Sequence, residues 1–524
     1  MVAFRPFASL GGRSNPFPDR SILMQWLSSL GAFGSVLQTI ILVIEVLVVF
    51  NLMILVHEWG HFLAARWRGL KVEKFYIWFG KPIWKKTING VEYGLGTIPA
   101  GGFVALPQMA PMDAIEGGSE NAEPLPPITP LDKIIVAFAG PLFSFGLAVT
   151  FAFLVFWAGK PQGESHVTTT IGYVAEDSPA AAAGLQPGDT IQTIDGKEVL
   201  RFEGLVDSVR WAIVASEGDD ILFKVDRPGE GTLEIPVIAK LRETKDKPSW
   251  WSGIFKRPAL REVGLIGKET PMVAKVQKNS PADEAGIQAN DLVLKADGEP
   301  VLSRVSFGDS IQKNPGKPVQ LELDRDGEIV KVTLTPRLPD KRPEGFERHL
   351  LGIEWDVQGK REIYHPTPRE QIRDALRLMG NTLSAIFSSK SDVGASHLSG
   401  PIGIFRIFYS LFQDSHGWQL VMWFSVVFNI NLAVLNMLPF PVLDGGHITM
   451  AIAEWIRRKP LHTRFLEIVQ TGCALLLFGF MIFVSLKDAG DWVGGGGGDA
   501  KKDDIGWLPK EERGAVKAPA APGS

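Results

Sequence analysis

His57-Glu58-Trp59-Gly60-His61 closes an apolar run, residues 36–67, that is long enough to cross a bilayer. On a helix, two histidines four apart project from one face and can share a metal. The Glu beside the first can act as general base on a water held there. Three polar side chains at membrane depth are costly unless they serve a purpose. The competing reading of these five residues is an interfacial helix end carrying two solvated histidines. A second motif, far along the chain, bears on that choice.

The chain has 524 residues and a formal net charge of -4. Near-balanced charge points to no nucleic-acid partner, and the length leaves room for several domains. The lone cysteine, Cys473, lies in an apolar stretch. No internal disulfide can form, and any metal must be held by His, Asp or Glu. Strongly apolar segments alternate with ordinary soluble sequence. Four regions read as membrane spans: 36–67, 133–160, 418–447 and 464–487. The leader, residues 1–35, carries Arg5, Arg13 and Arg20 ahead of an apolar run too long for a signal peptide. It reads as an uncleaved, disordered or interfacial segment.

Flanking charge sets the expected orientation. Arg66, Arg68, Lys71, Lys74, Lys81, Lys85 and Lys86 follow the first span, and Arg457, Arg458, Lys459 and Arg464 follow the third. Both loops are therefore expected on the cytoplasmic side, with the two termini and the large central region outside. Within the first loop, residues 68–132, two strand-like runs flank the hairpin signal Asn89-Gly90. Pro99-Ala100-Gly101-Gly102-Phe103-Val104 follows them.

The central region repeats itself. Ser178-Pro179-Ala180-Ala181-Ala182-Ala183-Gly184-Leu185-Gln186-Pro187-Gly188-Asp189 aligns with Ser280-Pro281-Ala282-Asp283-Glu284-Ala285-Gly286-Ile287-Gln288-Ala289-Asn290-Asp291, and Asp195-Gly196 with Asp297-Gly298. Each copy reads as a strand, a short helix opened by Ser-Pro, a Gly stop, and two strands around an Asp-Gly turn. The pattern resembles a tandem pair of bacterial PDZ domains, at 166–245 and 262–337. Such α/β domains bind peptides by adding a strand to an exposed edge. They can equally serve as a spacer or steric gate. A carboxylate-binding loop is recognisable only as Gly264-Leu265-Ile266-Gly267, assigned to the second copy. Residues 365–412 read as an amphipathic helix and a loop, and 488–524 as a flexible tail without a motif.

Asn436-Met437-Leu438-Pro439-Phe440-Pro441-Val442-Leu443-Asp444-Gly445-Gly446 ends the third span. Two prolines break the helix, and broken backbone at membrane depth occurs only where it lines a cavity or is buried in protein. A zinc site with two His needs a third protein ligand and keeps a position open. Asp444 fits that need, against the blander role of helix cap. Nothing in the spacing requires His447 as a ligand.

HExxH on a first span, N-x-x-P-x-P-x-L-D-G on a later one and PDZ domains between them resemble the site-2 intramembrane metalloproteases, in particular the bacterial regulator-of-sigma-E branch. The resemblance spans nearly the whole chain. It implies a polytopic α-helical membrane protein with four transmembrane helices, a reentrant β-hairpin and two extracytoplasmic PDZ domains, in the bacterial inner membrane. It implies one zinc ion held by His57, His61 and Asp444, with Glu58 as base. Asn436 is expected to contact the substrate backbone. The hairpin, through Gly94 and Gly96, and Pro441 are expected beside it. Ala139-Gly140-Pro141-Leu142-Phe143-Ser144 resembles the family's AGPxxN element, but Ser144 replaces the usual Asn.

The partners so implied are a transmembrane protein or peptide, the lipid bilayer, and an extracytoplasmic peptide for the PDZ pair. The expected activity is hydrolysis within a transmembrane segment after a first extracytoplasmic cut, as in envelope stress signalling through an anti-sigma factor. Signal-peptide remnants would suit the same chemistry. A catalytically silent PDZ scaffold is the alternative from another class.

Overall fold

In the computed structural model the described residues are 26–27, 29–109, 128–204, 206–218, 220–241, 257–343, 345–357, 359–388, 390–459, 463–494 and 506–508. The leader up to residue 25 and most of the tail lie outside them. The chain divides into two compact units, one of residues 1–161, 364–380 and 399–488, the other of the remainder.

Among the described residues, the first unit holds one four-stranded sheet and all or part of seven helices. Helix α1 (Gly31–Trp67) precedes strands β1 (Lys74–Phe79), β2 (Trp84–Ile88), β3 (Val91–Leu95) and β4 (Ile98–Ala105), and α2 is Pro130–Ala158. Then come α3 (Pro368–Phe387), α4 (Pro401–Gln413), α5 (Gly417–Asn436), α6 (Asp444–Arg457) and α7 (Thr463–Gly494). Among the described residues four helices are long and apolar enough to span a membrane: α1, α2, α5 and residues 468–491 of α7. A helix of 37 residues such as α1 rises well beyond the roughly 30 Å of bilayer hydrocarbon. Its C-terminal turns thus reach past the apolar layer or tilt within it.

Helix α2 starts where Thr129 and Asp132 form a capping box with Pro130 in the first turn. Glycine lets α1 and α2 approach closely: a Cβ on Gly60 would collide with the carbonyl oxygen of Ala139. Arg68 at the end of α1 reaches Asp132 at the start of α2, 2.7 Å away. Phe408 and Phe412 of α4 are fully buried among Leu42, Val46 and Met53 of α1.

Three expectations for this unit change. The hairpin around Asn89 and Gly90 exists, with φ of 50° and 79° at those residues, but it belongs to a four-stranded sheet ordered β2-β3-β1-β4. Strand β1 pairs parallel with β3 and antiparallel with β4. Residues 365–412 contain two helices, because Pro401 can open a helix at its first turn while its apolar face packs on α1. Region 418–447 is one span ending at Asn436, followed by a loop and a new helix whose first residue is Asp444.

In the second unit each repeat builds a four-stranded sheet over short helices. Its strands include β5 (Ile171–Val174), β6 (Thr190–Ile194), β7 (Asp220–Arg227), β8 (Gly231–Ile238), β9 (Leu265–Gly267), β10 (Val273–Val276), β11 (Leu292–Ala296), β12 (Val319–Arg325), β13 (Glu328–Leu334) and β14 (Ile353–Trp355). The two sheets are β8-β7-β6 with residues 197–198 and β13-β12-β11 with residues 299–300, and β5 and β10 lie outside them. Ser178 and Ser280 cap the helical turns that follow them, accepting from the amides of Ala181 and Asp283. Asp189 and Asp291, both 1% exposed, receive two-pronged contacts from Arg227 and Arg325. The repeat thus rebuilds one buried ion pair twice.

Each domain is completed from beyond its own repeat. Strand β9 pairs with β5, and Val263 lies in the first core. Strand β14 pairs with β10, and Leu351 lies in the second. The Gly264–Gly267 loop therefore belongs to the first domain, and Leu351-Gly352-Ile353 is its counterpart in the second. A PDZ fold needs that strand beside β5 or β10, and the chain reaches it only after the repeat has ended. Nor is the region beyond residue 488 wholly a loose tail: α7 runs to Gly494, and Trp507 is 8% exposed.

Candidate metal centre

Helical spacing brings His57 and His61 to one face of α1, and the α5–α6 turn brings Asp444 to them. His57 Nε2 lies 3.3 Å from His61 Nε2 and 3.3 Å from Asp444 Oδ2, and His61 Nε2 lies 3.4 Å from Asp444 Oδ1. Donor atoms bound at about 2.0–2.1 Å to one tetrahedral zinc stand roughly 3.3–3.4 Å apart. The observed triangle has that size.

The hydrogen bonds behind the rings explain why a cation belongs there. His61 Nδ1 is 2.8 Å from the carbonyl oxygen of Val136, so it carries the proton and donates. That leaves the Nε2 lone pair facing a carboxylate and a second imidazole nitrogen. His57 Nδ1 is 2.9 Å from Ser144 Oγ. Asp444 Oδ2 is buried and accepts no hydrogen bond among the described residues. Lone pairs crowded in this way repel one another until a shared cation satisfies them.

Three glycines make room for the cluster. A Cβ on Gly140 would collide with His61 Nε2 and sit 2.9 Å from His57 Cε1. Cβ atoms on Gly445 and Gly446 would collide with the carbonyl oxygens of Met437 and Phe440. The backbone from Met437 to Leu443 therefore folds against the first turn of α6, which aims Asp444 at the histidines. Lys133 of α2 and Glu454 of α6, 2.7 Å apart, tie these two helices together.

The three ligand candidates, Glu58, Asn436 and His447 all line one cavity of about 470 Å³. Its other walls include Gly101, Gly102, Phe103 and Val104 of β4, together with Val442 and Leu443. Asn436 Nδ2 is 3.5 Å from His57 Nε2. Gly94, Gly96 and Pro441 stand outside these walls. Gly94 lies under the Tyr76 ring and Gly96 against the backbone of Trp78 and Phe79. The carbonyl of Pro441 faces Gln470 of α7. The strand facing the metal site is β4, the outer strand, and not β3. The signal for it in the sequence was Gly101-Gly102: a Cβ at Gly102 would lie 3.6 Å from Glu58 Cγ.

Comparison with known proteins gives the same chemistry. The profile described as Peptidase family M50 matches residues 45–480. Regulator of sigma-E protease RseP of Salmonella typhimurium strain 14028s is 31% identical over 463 residues, covering 83% of this chain and 96% of that protein. RseP of Escherichia coli strain K12 gives the same identity and coverage, 31% over 463 residues, 83% and 96%. Among solved structures, a PDZ domain of the SdrC-like protein of Listeria monocytogenes is 21% identical and covers 18% of this chain and 98% of its own, with a TM-score of 0.16. Two imidazoles and a carboxylate form the donor set of a catalytic zinc site, and zinc is the cofactor. The chain belongs to peptidase family M50, as a multi-pass intramembrane zinc metalloprotease of the regulator-of-sigma-E branch.

Proposed function

We propose that this protease cuts a transmembrane segment of another membrane protein, with His57, His61 and Asp444 holding zinc and Glu58 as the base. The observation that carries the reading is one cavity walled by the metal triad, Glu58, Asn436 and the outer strand β4. Zinc, when bound, supplies a Lewis acid that polarises a carbonyl and acidifies a water. The Glu58 carboxylate takes the proton from the attacking water as its oxygen bonds to the scissile carbon. It then delivers that proton to the departing nitrogen as the C–N bond breaks.

A helical substrate hides its carbonyls in its own hydrogen bonds, and exposing them in lipid costs several kcal/mol for each unsatisfied group. Strand β4 offers a way around that cost. It pairs with β1 on one side, and its other edge can accept an unwound segment as an added strand. Asn436 is placed to hydrogen-bond the same segment near the histidines. Proline in place of Phe103, then of Val104, should lower cleavage while zinc content stays constant. Undiminished cleavage of a helical substrate by both variants would remove the strand-addition step.

The natural substrate is proposed to be a membrane-anchored anti-sigma factor already trimmed outside by another protease. This follows the name of the relatives and the paired PDZ domains, which would exclude bulky ectodomains or hold a new peptide end. The PDZ domains and both termini are assigned to the extracytoplasmic side from the flanking charge. Comparing a single-span substrate with and without its ectodomain, using full-length enzyme and a variant lacking residues 166–336, tests the filter. Rejection of the untrimmed substrate by both proteins would count against it. Glu58→Gln should lower cleavage by about 10²–10⁴-fold in every arm.

A further inference from the structure

The C-terminal segment carries no motif, yet Gly506-Trp507-Leu508 is built into the second PDZ domain. Gly506 and Lys341 exchange two backbone hydrogen bonds, each 2.9 Å, as an antiparallel bridge. The amide of Leu508 donates to Asp340 Oδ2 at 2.8 Å. Trp507 Nε1 donates to Gln277 Oε1 at 2.7 Å. The guanidinium of Arg337 lies 4.6 Å from the centre of the Trp507 ring and is itself held by Asp340, the carbonyl of Asn279 and Glu284.

These contacts have the form of peptide recognition. An extended segment pairs its backbone with a receptor backbone, and one large aromatic fills a site with a polar tip satisfied and a cation on its face. The receptor residues come from three separate places: Gln277 after β10, Arg337 after β13, and Asp340-Lys341 beyond it. The site also touches the turn that closes the domain. Gly352 has φ of 78°, and a Cβ there would lie 3.2 Å from Trp507 Nε1.

We propose that this face of the second PDZ domain is a recognition site for a tryptophan-bearing extended peptide, and that the enzyme's own C-terminal segment occupies it as a tethered ligand. The site is formed by residues of the second unit alone, and it neither requires nor alters the reading of the metal centre. Eleven residues, 495–505, join Gly506 to the end of α7. A tether of this length holds a ligand at an effective concentration on the order of millimolar. A modest intrinsic affinity therefore suffices to keep the site filled, and a free competitor must overcome that concentration. Release of the segment would bare Arg337 and Gln277 beside the Leu351-Gly352 turn, which couples occupancy of this face to the domain's peptide-binding edge.

The test uses full-length protein in detergent and a fluorescent peptide with the sequence of residues 504–510, Asp-Ile-Gly-Trp-Leu-Pro-Lys. Trp507→Ala empties the site, so it should bind the peptide about tenfold or more tighter than wild type does. Arg337→Ala added to Trp507→Ala should abolish that gain, and Gln277→Leu should reduce it. A peptide with Ala for Trp should bind neither protein. Equal binding to wild type and Trp507→Ala, or a gain that survives Arg337→Ala, overturns the proposal. Hydrogen exchange decides the matter where the free peptide binds too weakly to titrate. Amides of Lys341 and Gly506, which bond to each other's carbonyls, should lose protection in Trp507→Ala, and unchanged protection at both overturns the tethered-ligand reading.

Discussion

Ser144 Oγ stands 2.9 Å from Nδ1 of His57, fully buried, where related proteases usually carry Asn. A hydroxyl can accept a hydrogen bond from Nδ1–H as an amide oxygen does, so Ser144 is placed to orient the His57 ring. An orienting partner of this kind fixes the tautomer that leaves Nε2 free for metal. Ser144→Ala should weaken zinc binding by about 10–100-fold, read by competition with a chromophoric chelator. Unchanged affinity would mean that the hydroxyl does not orient the ring.

Gly140→Ala places a Cβ where His61 Nε2 and His57 Cε1 already stand. Either the rings rotate away or α2 shifts off α1, and both move the donor atoms. A displacement near 1 Å at a catalytic site costs on the order of 10²-fold in rate. Cleavage should fall by at least that factor together with bound zinc. Gly146→Ala, on the same helix with open space around it, is the control and should leave both unchanged.

Glu58→Gln keeps the size of the side chain and removes the base. The rate should fall by about 10²–10⁴-fold while zinc content remains at one per chain. Removing the metal from wild type with a chelator should abolish cleavage, and added zinc should restore it. Loss of zinc in Glu58→Gln would show that the carboxylate holds the site together and would undercut its role as base.

Burial pushes the Asp291 carboxyl up, but the Arg325 guanidinium and the Gln288 amide outweigh it and hold the pKa below its ordinary value. A depressed folded-state pKa means stability that is full above the unfolded value near 3.9 and is lost as pH falls through the folded one. Asp291→Asn should destabilise the second PDZ domain by about 3 kcal/mol at neutral pH, since it leaves Arg325 without its charge partner. The difference in melting temperature between wild type and variant should narrow from pH 6 to pH 3. A gap constant over that range would show that the ion pair is not the source of the stability.

The sequence by itself determined the parts that depend on local spacing and on the cost of polar groups in lipid. Four apolar runs of spanning length could only be membrane helices, and histidines four apart could only share a helix face. The repeat was legible because both copies rebuild the same cap and buried Asp, at Ser178 and Asp189 and again at Ser280 and Asp291. The Asn89-Gly90 turn was legible because its two positive φ angles suit those residues.

Tertiary structure decided what depends on non-local approach. It brings Asp444 within 3.3–3.4 Å of two histidines on another helix. It also gives Gly60, Gly140, Gly445 and Gly446 their roles, because the space a missing Cβ leaves is set by the neighbouring helix or loop. The strand facing the site is β4, since sheet order follows from pairing across the chain and not from the nearest turn signal. Strands β9 and β14 close domains whose repeats end before them. Trp507 sits in a stretch with no periodicity, and only the folded surface of Gln277, Arg337 and Lys341 makes it an anchor.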